Sequence, residues 1–360
     1  MLAVFRVVFY FPTLRMLRNP ETPKFTHIFV DEHHDQLDCP RDRQKAWKTL
    51  AECASTMDMP IILLSGTAPP CLEQPLMKPY GLSHTGTAFV RSSTNRPEIG
   101  LHTIYLDPSA SRAALAHLVY ALHSRLKADE RMLVLFASCV EAEAFAVKAS
   151  CAVFHSRLPS SGNTKAYNLD LWDRGEIKLM ACTSAFATGV DRPNIRFVVI
   201  YNPTYSLTMV AQMAGRAGRD GSESHVFFAT SEQTAAMPTS NEDYSLVYKL
   251  GKLVHKKECK VLQMARYMDN ERMARACGDL HGQVPCDLCE PNSEIHRFAV
   301  NAVVNPSRTT HQLDGASAGN KLSLQSRKSV GQLEACAMNM DNSEAKGEVS
   351  PIYHSFICRR

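Results

Sequence analysis

The stretch ACTSAFATGVDRPNIRFVVIYNPTYSLTMVAQMAGRAGRDG, residues 181–221, contains the pattern that decides the fold class. Two mainly apolar runs, Lys178–Cys182, which ends inside this stretch, and Ile195–Tyr201, are typical of buried strands. A helical pattern, Leu207–Arg216, follows the second run. Strands that alternate with helices form a parallel sheet, so this stretch predicts an α/β fold.

The same alternation extends upstream of this stretch. Before it we expect the helix Arg112–Lys127, the strand Met132–Phe136, a helix beginning near Val140, the strand Ala152–His155 and the helix Lys165–Trp172. Residues 1 to about 100 contain a second α/β unit, with apolar runs Thr26–Val30 and Ile61–Leu64 around the helix Arg41–Ser55. The segment Asn95–Leu106 is interpreted as a linker between the two units.

Composition excludes few classes of protein. A hydrophobic fraction of 45% and a charged fraction of 21% are typical of globular chains, and the net charge of +4 permits a nucleic-acid partner without arguing for one. The apolar opening MLAVFRVVFYF is interrupted by Arg6, so it is interpreted as core and not as a signal peptide. No run approaches the roughly 20 apolar residues of a membrane span. We expect a soluble, intracellular protein.

Two strand ends carry polar side chains that suit nucleotide chemistry. In FTHIFVDEHH (25–34), Asp31 and Glu32 follow an apolar strand, where one carboxylate can hold magnesium through water and the other can activate a water. In IILLSGTAPP (61–70), Ser65 and Thr67 could relay between a nucleotide site and another domain by hydrogen bonds. A solvated acidic turn and a plain strand-to-turn transition are the alternatives.

The segment QMAGRAGRDG (212–221) favours anion binding. If it is helical, Gln212, Arg216 and Arg219 share one face, beside glycines at 215 and 218 that cost about 1 kcal/mol each in a helix. Removing two side chains beside two guanidiniums lets a phosphate approach closely.

The loop before this segment offers further phosphate or sugar contacts. Thr183 lies at a strand end, and Gly189 and Asp191 follow in the loop.

The chain has 12 cysteines, most of them scattered in apolar runs as buried thiols are. The exception is a late cluster whose last two members form a CxxC pair. A pair of this kind with two further cysteines predicts a tetrahedral zinc site, and a redox-active pair is the alternative. The cluster consists of Cys259, Cys277, Cys286 and Cys289.

Taken in order, these segments resemble the motifs of superfamily 2 helicases, and most specifically the RecQ family. VDEHH resembles motif II, SGTAPP motif III, MLVLFAS motif IV, ACTSAFATGVDRPNIRFV motif V and QMAGRAGRDG motif VI. The cysteine segment and the linker NRPEI also match RecQ spacing, and the long interval between Cys277 and Cys286 is most similar to fungal telomere-associated RecQ-like proteins. The resemblance implies two RecA-like lobes, 1–100 (incomplete) and 101–235, a helical zinc-binding module at 236–290 and a largely disordered tail at 291–360.

The resemblance also implies a role for each site residue. Asp31 would bind Mg²⁺ through water, and Glu32 would be the catalytic base. Ser65 and Thr67 would couple ATP hydrolysis to lobe movement, while Gly189 and Asp191 would contact the nucleotide and the other lobe. Arg216 and Arg219 would reach the γ-phosphate, with Gln212 beside them. His155 and Thr183 would contact DNA, and the four cysteines would hold Zn²⁺.

The sequence departs from the family in several places. No G-x-x-x-x-G-K-[ST] phosphate-binding loop occurs in the 360 residues, so we expect an N-terminally truncated helicase whose first lobe folds only marginally. Four positions carry unusual residues, and Trp47 is the single aromatic residue in the segment that should sense single-stranded DNA. The four are His33, Gly66, Arg157 and Ala187.

Three functional hypotheses follow. The first is an ATP-dependent 3′-to-5′ DNA helicase of the nucleus that acts on single-stranded DNA and duplex junctions. The second is a nucleic-acid-binding module without ATP hydrolysis, which the absent phosphate-binding loop favours. The third, an RNA helicase or other superfamily 2 translocase, is disfavoured by the cysteine segment.

Overall fold

The first sheet of the computed structural model is small and parallel. The structure describes residues 2–5, 26–38, 41–57, 59–159, 164–187, 190–230, 253–255 and 257–306. The strands β1 (Leu2–Phe5), β2 (His27–Val30) and β3 (Ile61–Leu63) pair in the order β1-β2-β3. The apolar opening therefore contributes a strand.

The second sheet has six parallel strands in the order β4-β9-β8-β5-β7-β6. Its central strands are buried on both faces, as expected of a sheet covered by helices. Residues Met1–Thr310 form one compact unit. The strands are β4 (Ile99–Tyr105), β5 (Arg131–Leu135), β6 (Ala152–Phe154), β7 (Leu179–Cys182), β8 (Ile195–Tyr201) and β9 (Ser224–Thr230).

The helices follow the predicted pattern closely in the two α/β units. In chain order they are α1 (Asp35–Asp38), α2 (Arg41–Ser55), α3 (Glu73–Met77), α4 (Ser111–Ser124), α5 (Cys139–Ala149), α6 (Thr164–Arg174), α7 (Ser184–Ala187), α8 (Leu207–Ala214), α9 (Lys260–Met268) and α10 (Glu294–Val304). No helix within the described ranges is long and apolar enough to cross a membrane.

Strand β5 shows how the larger sheet separates two apolar cores. Leu133 and Leu135 belong to the core on one face, together with Trp172 and Phe186. Met132, Val134 and the helix α4 belong to the core on the other face. Because alternate side chains enter opposite cores, the strand is apolar throughout, which is why its sequence could be recognised.

The interpretation of Asn95–Leu106 as a linker was wrong. Residues Ile99–Tyr105 form β4, an edge strand of the larger sheet that pairs along its whole length with β9. Strand β9 was not predicted either. The two strands are more than 100 residues apart in the chain: β4 is defined by its pairing with β9, and β9 pairs with both β4 and β8.

The helical interpretation was also wrong for residues 215–219. Helix α8 ends at Ala214, and the chain then turns, with Gly218 at a φ of 59°. The backbone N–H of Gly218 donates to the carbonyl of Ile195 at 3.0 Å. A Cβ at 218 would lie 2.9 Å from Glu98 Cγ, so this glycine is required by the turn and by a close approach. The shared helical face of the arginines does not form.

The C-terminal third also differs from expectation. The tail boundary at 291 is too early, because Glu294–Val304 is a helix whose Phe298, Ala299 and Val303 pack on the core beside α4. Residues 307–360 lie outside the described residues. The expected module at 236–290 is helical only in part, because α9 is followed by turns through the cysteine segment. Residues 231–252 and 256 lie outside the described residues.

Candidate nucleotide cleft and metal centre

A cavity of about 250 Å³ lies between the loops of the two sheets. It brings together the acidic turn, the segment after β3, the residues before β4, the end of α8 and one side of α9. Its polar lining residues are Glu32, Thr67, Thr94, Asn95, Arg96, Gln212, Arg216 and Arg219.

The acidic pair lies directly after β2 in a turn. Glu32 has a left-handed backbone, with a φ of 52°, and its N–H donates to Asp31 Oδ1 at 2.9 Å. A left-handed conformation costs a non-glycine residue on the order of 1–3 kcal/mol and is frequent at functional sites. The strained turn places the half-exposed Glu32 side chain at the cavity, with its Oε2 3.5 Å from His34 Nδ1.

His34 joins the two sheets and was not predicted as a site residue. Its Nδ1 lies 2.6 Å from Ser65 Oγ, and its Nε2 lies 3.2 Å from Thr67 Oγ1 and in contact with the amide nitrogen of Gln212. An amide nitrogen can only donate, so Nε2 accepts, and Nδ1–H donates to Ser65. The side chain is 3% exposed. Its position three residues after Asp31 was the available sequence signal.

His33 fastens the acidic turn to the end of β3. Its Nδ1 lies 2.8 Å from the carbonyl oxygen of Leu64, which also accepts the backbone N–H of His33 at 3.3 Å. Burial lowers the pKa of His33, so the ring is neutral near pH 7 and donates from Nδ1. The unusual residue at this motif II position thus has a structural contact of its own.

The two arginines after α8 are held by the preceding loop. Arg216 is buried and donates from Nη1 to the carbonyl of Val190 at 2.7 Å and from Nη2 to the carbonyl of Ala187. Arg219 forms an ion pair with Asp191. Both guanidiniums line the cavity. Gly189, between their partners, lies outside the described residues.

Arg96 is a cleft residue that the sequence interpretation missed. It pairs with Glu98 and donates to the carbonyls of Gly215 at 3.2 Å and Ala217 at 3.0 Å. These bonds hold the turn that carries Arg216 and Arg219. The signal was the NRPEI segment itself, which was interpreted only as a linker.

The two expected DNA contacts, His155 and Thr183, are buried. His155 is 1% exposed, with Nε2 2.8 Å from Glu143 Oε1, and Thr183 is 6% exposed. Neither side chain is accessible to a DNA backbone in this conformation. Each follows a strand whose carboxyl end is covered by neighbouring segments, which the sequence pattern does not reveal.

The four late cysteines converge on one point. The Sγ atoms of Cys259, Cys277, Cys286 and Cys289 all lie within 4.8 Å of one another, and those of Cys259 and Cys277 are 3.6 Å apart. With a Zn–S bond of about 2.3 Å, a tetrahedral site has sulfur atoms about 3.8 Å apart. Hydrogen bonds from Cys259 and Cys277 lower the pKa of Cys286, whereas the hydrogen bond with Cys259 raises the pKa of Cys277. The donor set therefore fits zinc.

Comparisons with known proteins agree with these motifs. Residues 112–221 match the helicase conserved C-terminal domain. The chain is 23% identical over 295 residues to the ATP-dependent DNA helicase Q1 of Pongo abelii, covering 79% of this chain and 44% of that protein. It is 24% identical over 294 residues to the ATP-dependent helicase SGS1 of Saccharomyces cerevisiae, covering 79% of this chain and 20% of that protein. The chain thus spans less than half of either relative.

A solved structure supports the fold alone. The S. cerevisiae protein Dbp5 bound to RNA and ADP BeF3 is similar with a TM-score of 0.53 at 15% identity, over 84% of this chain and 73% of that one. Parallel α/β sheets that resemble RecA-like helicase lobes are therefore present. Together with the relatives and the matched domain, they confirm that this chain resembles the RecQ-type helicases of superfamily 2.

Proposed function

We propose that this chain carries the cleft of a RecQ-type, ATP-dependent 3′-to-5′ DNA helicase. The observation that supports the proposal most is the position of His34. This side chain joins Ser65 and Thr67, in the segment after β3, to Gln212 on helix α8, which packs on the larger sheet. A residue that contacts both sheets at one cleft can link events at a nucleotide to movement between the sheets. ATP is the proposed nucleotide.

In this proposal the acidic turn handles magnesium and water. Asp31 would hold the ion through water, and Glu32, whose carboxylate lines the cavity, would orient and deprotonate the attacking water. Bound Mg²⁺ would neutralise charge on the phosphates. Ser65 and Thr67 would respond to movement of the acidic turn through their hydrogen bonds to His34.

Arg216 and Arg219 are proposed to contact the γ-phosphate from the larger sheet. The pair between Arg219 and Asp191 is largely exposed, with Asp191 64% accessible, so breaking it costs at most about 1 kcal/mol. Arg219 can therefore exchange Asp191 for a phosphate. Arg216 is held more firmly by two carbonyls and positions the turn, and Gly189 is proposed to let the loop approach the nucleotide.

The four cysteines are proposed to hold a structural Zn²⁺ that stabilises the segment after α9. Single-stranded DNA and duplex junctions are the proposed partners, and the nucleus the proposed location, as for RecQ-type helicases. DNA contact by His155 or Thr183 would require the surrounding segments to rearrange.

A nucleic-acid-binding module without ATP hydrolysis is the second candidate. The observation that favours it is that the 360 residues contain no G-x-x-x-x-G-K-[ST] segment. Backbone N–H groups and a lysine of such a loop normally hold the phosphates.

ATP hydrolysis by the purified chain, with and without single-stranded DNA, separates the two candidates. For the helicase we expect DNA-stimulated turnover that Arg219→Ala lowers by about 10³-fold or more, because an arginine finger contributes that much. Arg272→Ala, at an exposed arginine of the segment after α9, is the control and should leave turnover unchanged.

Each other outcome has a definite meaning. Absence of turnover with retained DNA binding supports the second candidate. Stimulation by RNA in preference to DNA would contradict both the DNA specificity and the RecQ assignment of the activity.

A further inference from the structure

One edge of the larger sheet is formed by β4. This strand is at the end of the order β4-β9-β8-β5-β7-β6, and six of its seven residues are buried. A long apolar edge strand with free N–H and C=O groups readily pairs with another chain, so proteins cover or interrupt such edges. The structure gives β4 a cover.

The cover is the segment that carries the last two cysteines. Asp287 makes two bonds to the outer side of β4: its N–H donates to the carbonyl of Leu101 at 3.1 Å, and its Oδ2 accepts the N–H of Thr103 at 2.8 Å. Because Leu101 and Thr103 alternate with the residues that bond β9, these groups face away from the sheet. Asp287 thus occupies the position of a neighbouring strand.

Two more bonds extend the cover toward the start of β4. The N–H of Val284 donates to the carbonyl of Pro97 at 2.7 Å, and Nε2 of Gln283 donates to the carbonyl of Ile99 at 3.0 Å. Residues 283–287 therefore follow β4 from before its first residue to its middle.

A buried ion pair connects this cover to the cysteine cluster. Lys260 Nζ lies 2.9 Å from Asp287 Oδ1, and the two side chains are 2% and 7% exposed. Lys260 directly follows Cys259, and Asp287 directly follows Cys286. A buried charge is tolerated only beside its partner, so the two chain segments must stay together for either side chain to remain buried.

We propose that metal at the four cysteines and cover of the β4 edge form one unit, with Lys260 and Asp287 as the positioning pair. Loss of the metal releases residues 283–287, and the exposed edge then pairs with the β4 edge of a second copy of this chain. This inference rests on the zinc site proposed above.

The hydrogen-bonding groups along the β4 edge favour a second copy of this chain as the partner. Two identical edges related by a two-fold axis pair in antiparallel fashion, and each donates and accepts the same set of bonds. On each copy, the carbonyls of Ile99 and Leu101 that lose their donors and the N–H of Thr103 that loses its acceptor then bond N–H and C=O groups of the other β4 edge.

Chelation of the full chain tests the coupling. Zinc content is measured first, then amide hydrogen exchange and mass in solution, before and after a strong chelator and again after zinc is restored. We expect one zinc per chain, exchange at Thr103, Val284 and Asp287 that rises roughly tenfold or more on chelation, and a reversible shift from monomer to dimer. Amides of β5 should remain protected.

The outcomes separate this inference from the zinc assignment. Absence of bound zinc contradicts the proposed metal site. Zinc that binds and is removed, with Thr103 still protected and the chain still monomeric, overturns the coupling alone.

A conservative variant tests the positioning pair without removing metal. Asp287→Asn keeps the side-chain size and an oxygen acceptor but leaves Lys260 without its counter-charge, so exchange at Thr103 should rise about tenfold while zinc remains bound. Glu290→Gln, at an exposed carboxylate next to Cys289, is the matched control. Equal protection of Thr103 in the two zinc-loaded variants would overturn the role of the pair.

Discussion

A single imidazole links the two sheets of this chain. His34 donates to Ser65, accepts from Gln212 and lies within hydrogen-bond distance of Thr67. The tautomer follows from chemistry alone, since the amide nitrogen of Gln212 leaves Nε2 no role except acceptor. The arrangement uses both ring nitrogens, which no aliphatic residue can supply.

Replacing His34 should therefore weaken the contact between the segment after β3 and helix α8, and so lower the stability of the protein. His34→Ala removes the hydrogen bonds that the partly buried Ser65, Thr67 and Gln212 make to the ring, and we expect the free energy of unfolding to fall by about 1–3 kcal/mol. Urea titration measures this, with His27→Ala as the control because, within the described residues, the His27 ring hydrogen-bonds to the neighbouring Thr26 hydroxyl and not across to another element. Equal losses in the two variants would contradict the linking role.

The pair His102 and His225 makes stability depend on pH. Their rings are 3.1 Å apart between Nε2 and Nδ1, and burial lowers the pKa of His225 to about 4 and that of His102 well below its usual value. In the unfolded chain the pKa is about 6.5, so between about 6.5 and about 4 the unfolded state binds more protons. Stability is therefore full above about pH 6.5 and is lost as pH falls toward 4.

The contribution of His225 to this loss of stability can be measured with a variant of that residue. For His225 alone, a shift of this extent corresponds to a loss on the order of 3 kcal/mol. Urea unfolding at several pH values checks it, and His225→Asn should flatten the profile, whereas His117→Asn, on α4, should not. An unchanged slope in His225→Asn would show that this ring does not contribute.

At the scale of elements, the turn after α8 positions the two arginines. Arg96 donates to the carbonyls of Gly215 and Ala217, and Gly218 adopts a left-handed backbone against Glu98. The turn is thus held by residues that come just before β4, more than 100 positions upstream.

Two glycines of this turn offer a matched comparison. Gly218 and Gly221 both have positive φ, 59° and 77°, but a Cβ at 218 meets Ser222 O at 2.9 Å whereas a Cβ at 221 meets nothing within 4 Å. Gly221→Ala should cost only the conformational strain of about 1–2 kcal/mol, and Gly218→Ala should cost that and the clash. Thermal unfolding of both variants checks the order, and a reversed order would contradict the close approach.

At the scale of the whole molecule, the cleft is assembled from distant parts of the chain. Glu32, Arg96, Gln212 and Met264 all line one cavity of about 250 Å³. Parallel sheets make this possible because their loops gather along one edge. The cysteine segment covers β4, which is the opposite edge of the larger sheet from β6.

The sequence alone determined the parallel α/β class, the positions of β5, β7 and β8, and the cysteine cluster. Strands buried on both faces must be apolar at every position, and thiols spaced for a knuckle are rare, so both patterns are visible without a structure. The order of motifs also pointed to the RecQ resemblance.

Only the tertiary structure decided the rest. Strand β4 forms by pairing with β9, the chain after Ala214 turns so that Gly218 lies against Glu98, and His34 matters because of partners up to 178 residues away. His155 and Thr183 are buried by neighbouring segments. Each of these depends on contacts between distant residues, which local pattern and propensity cannot express.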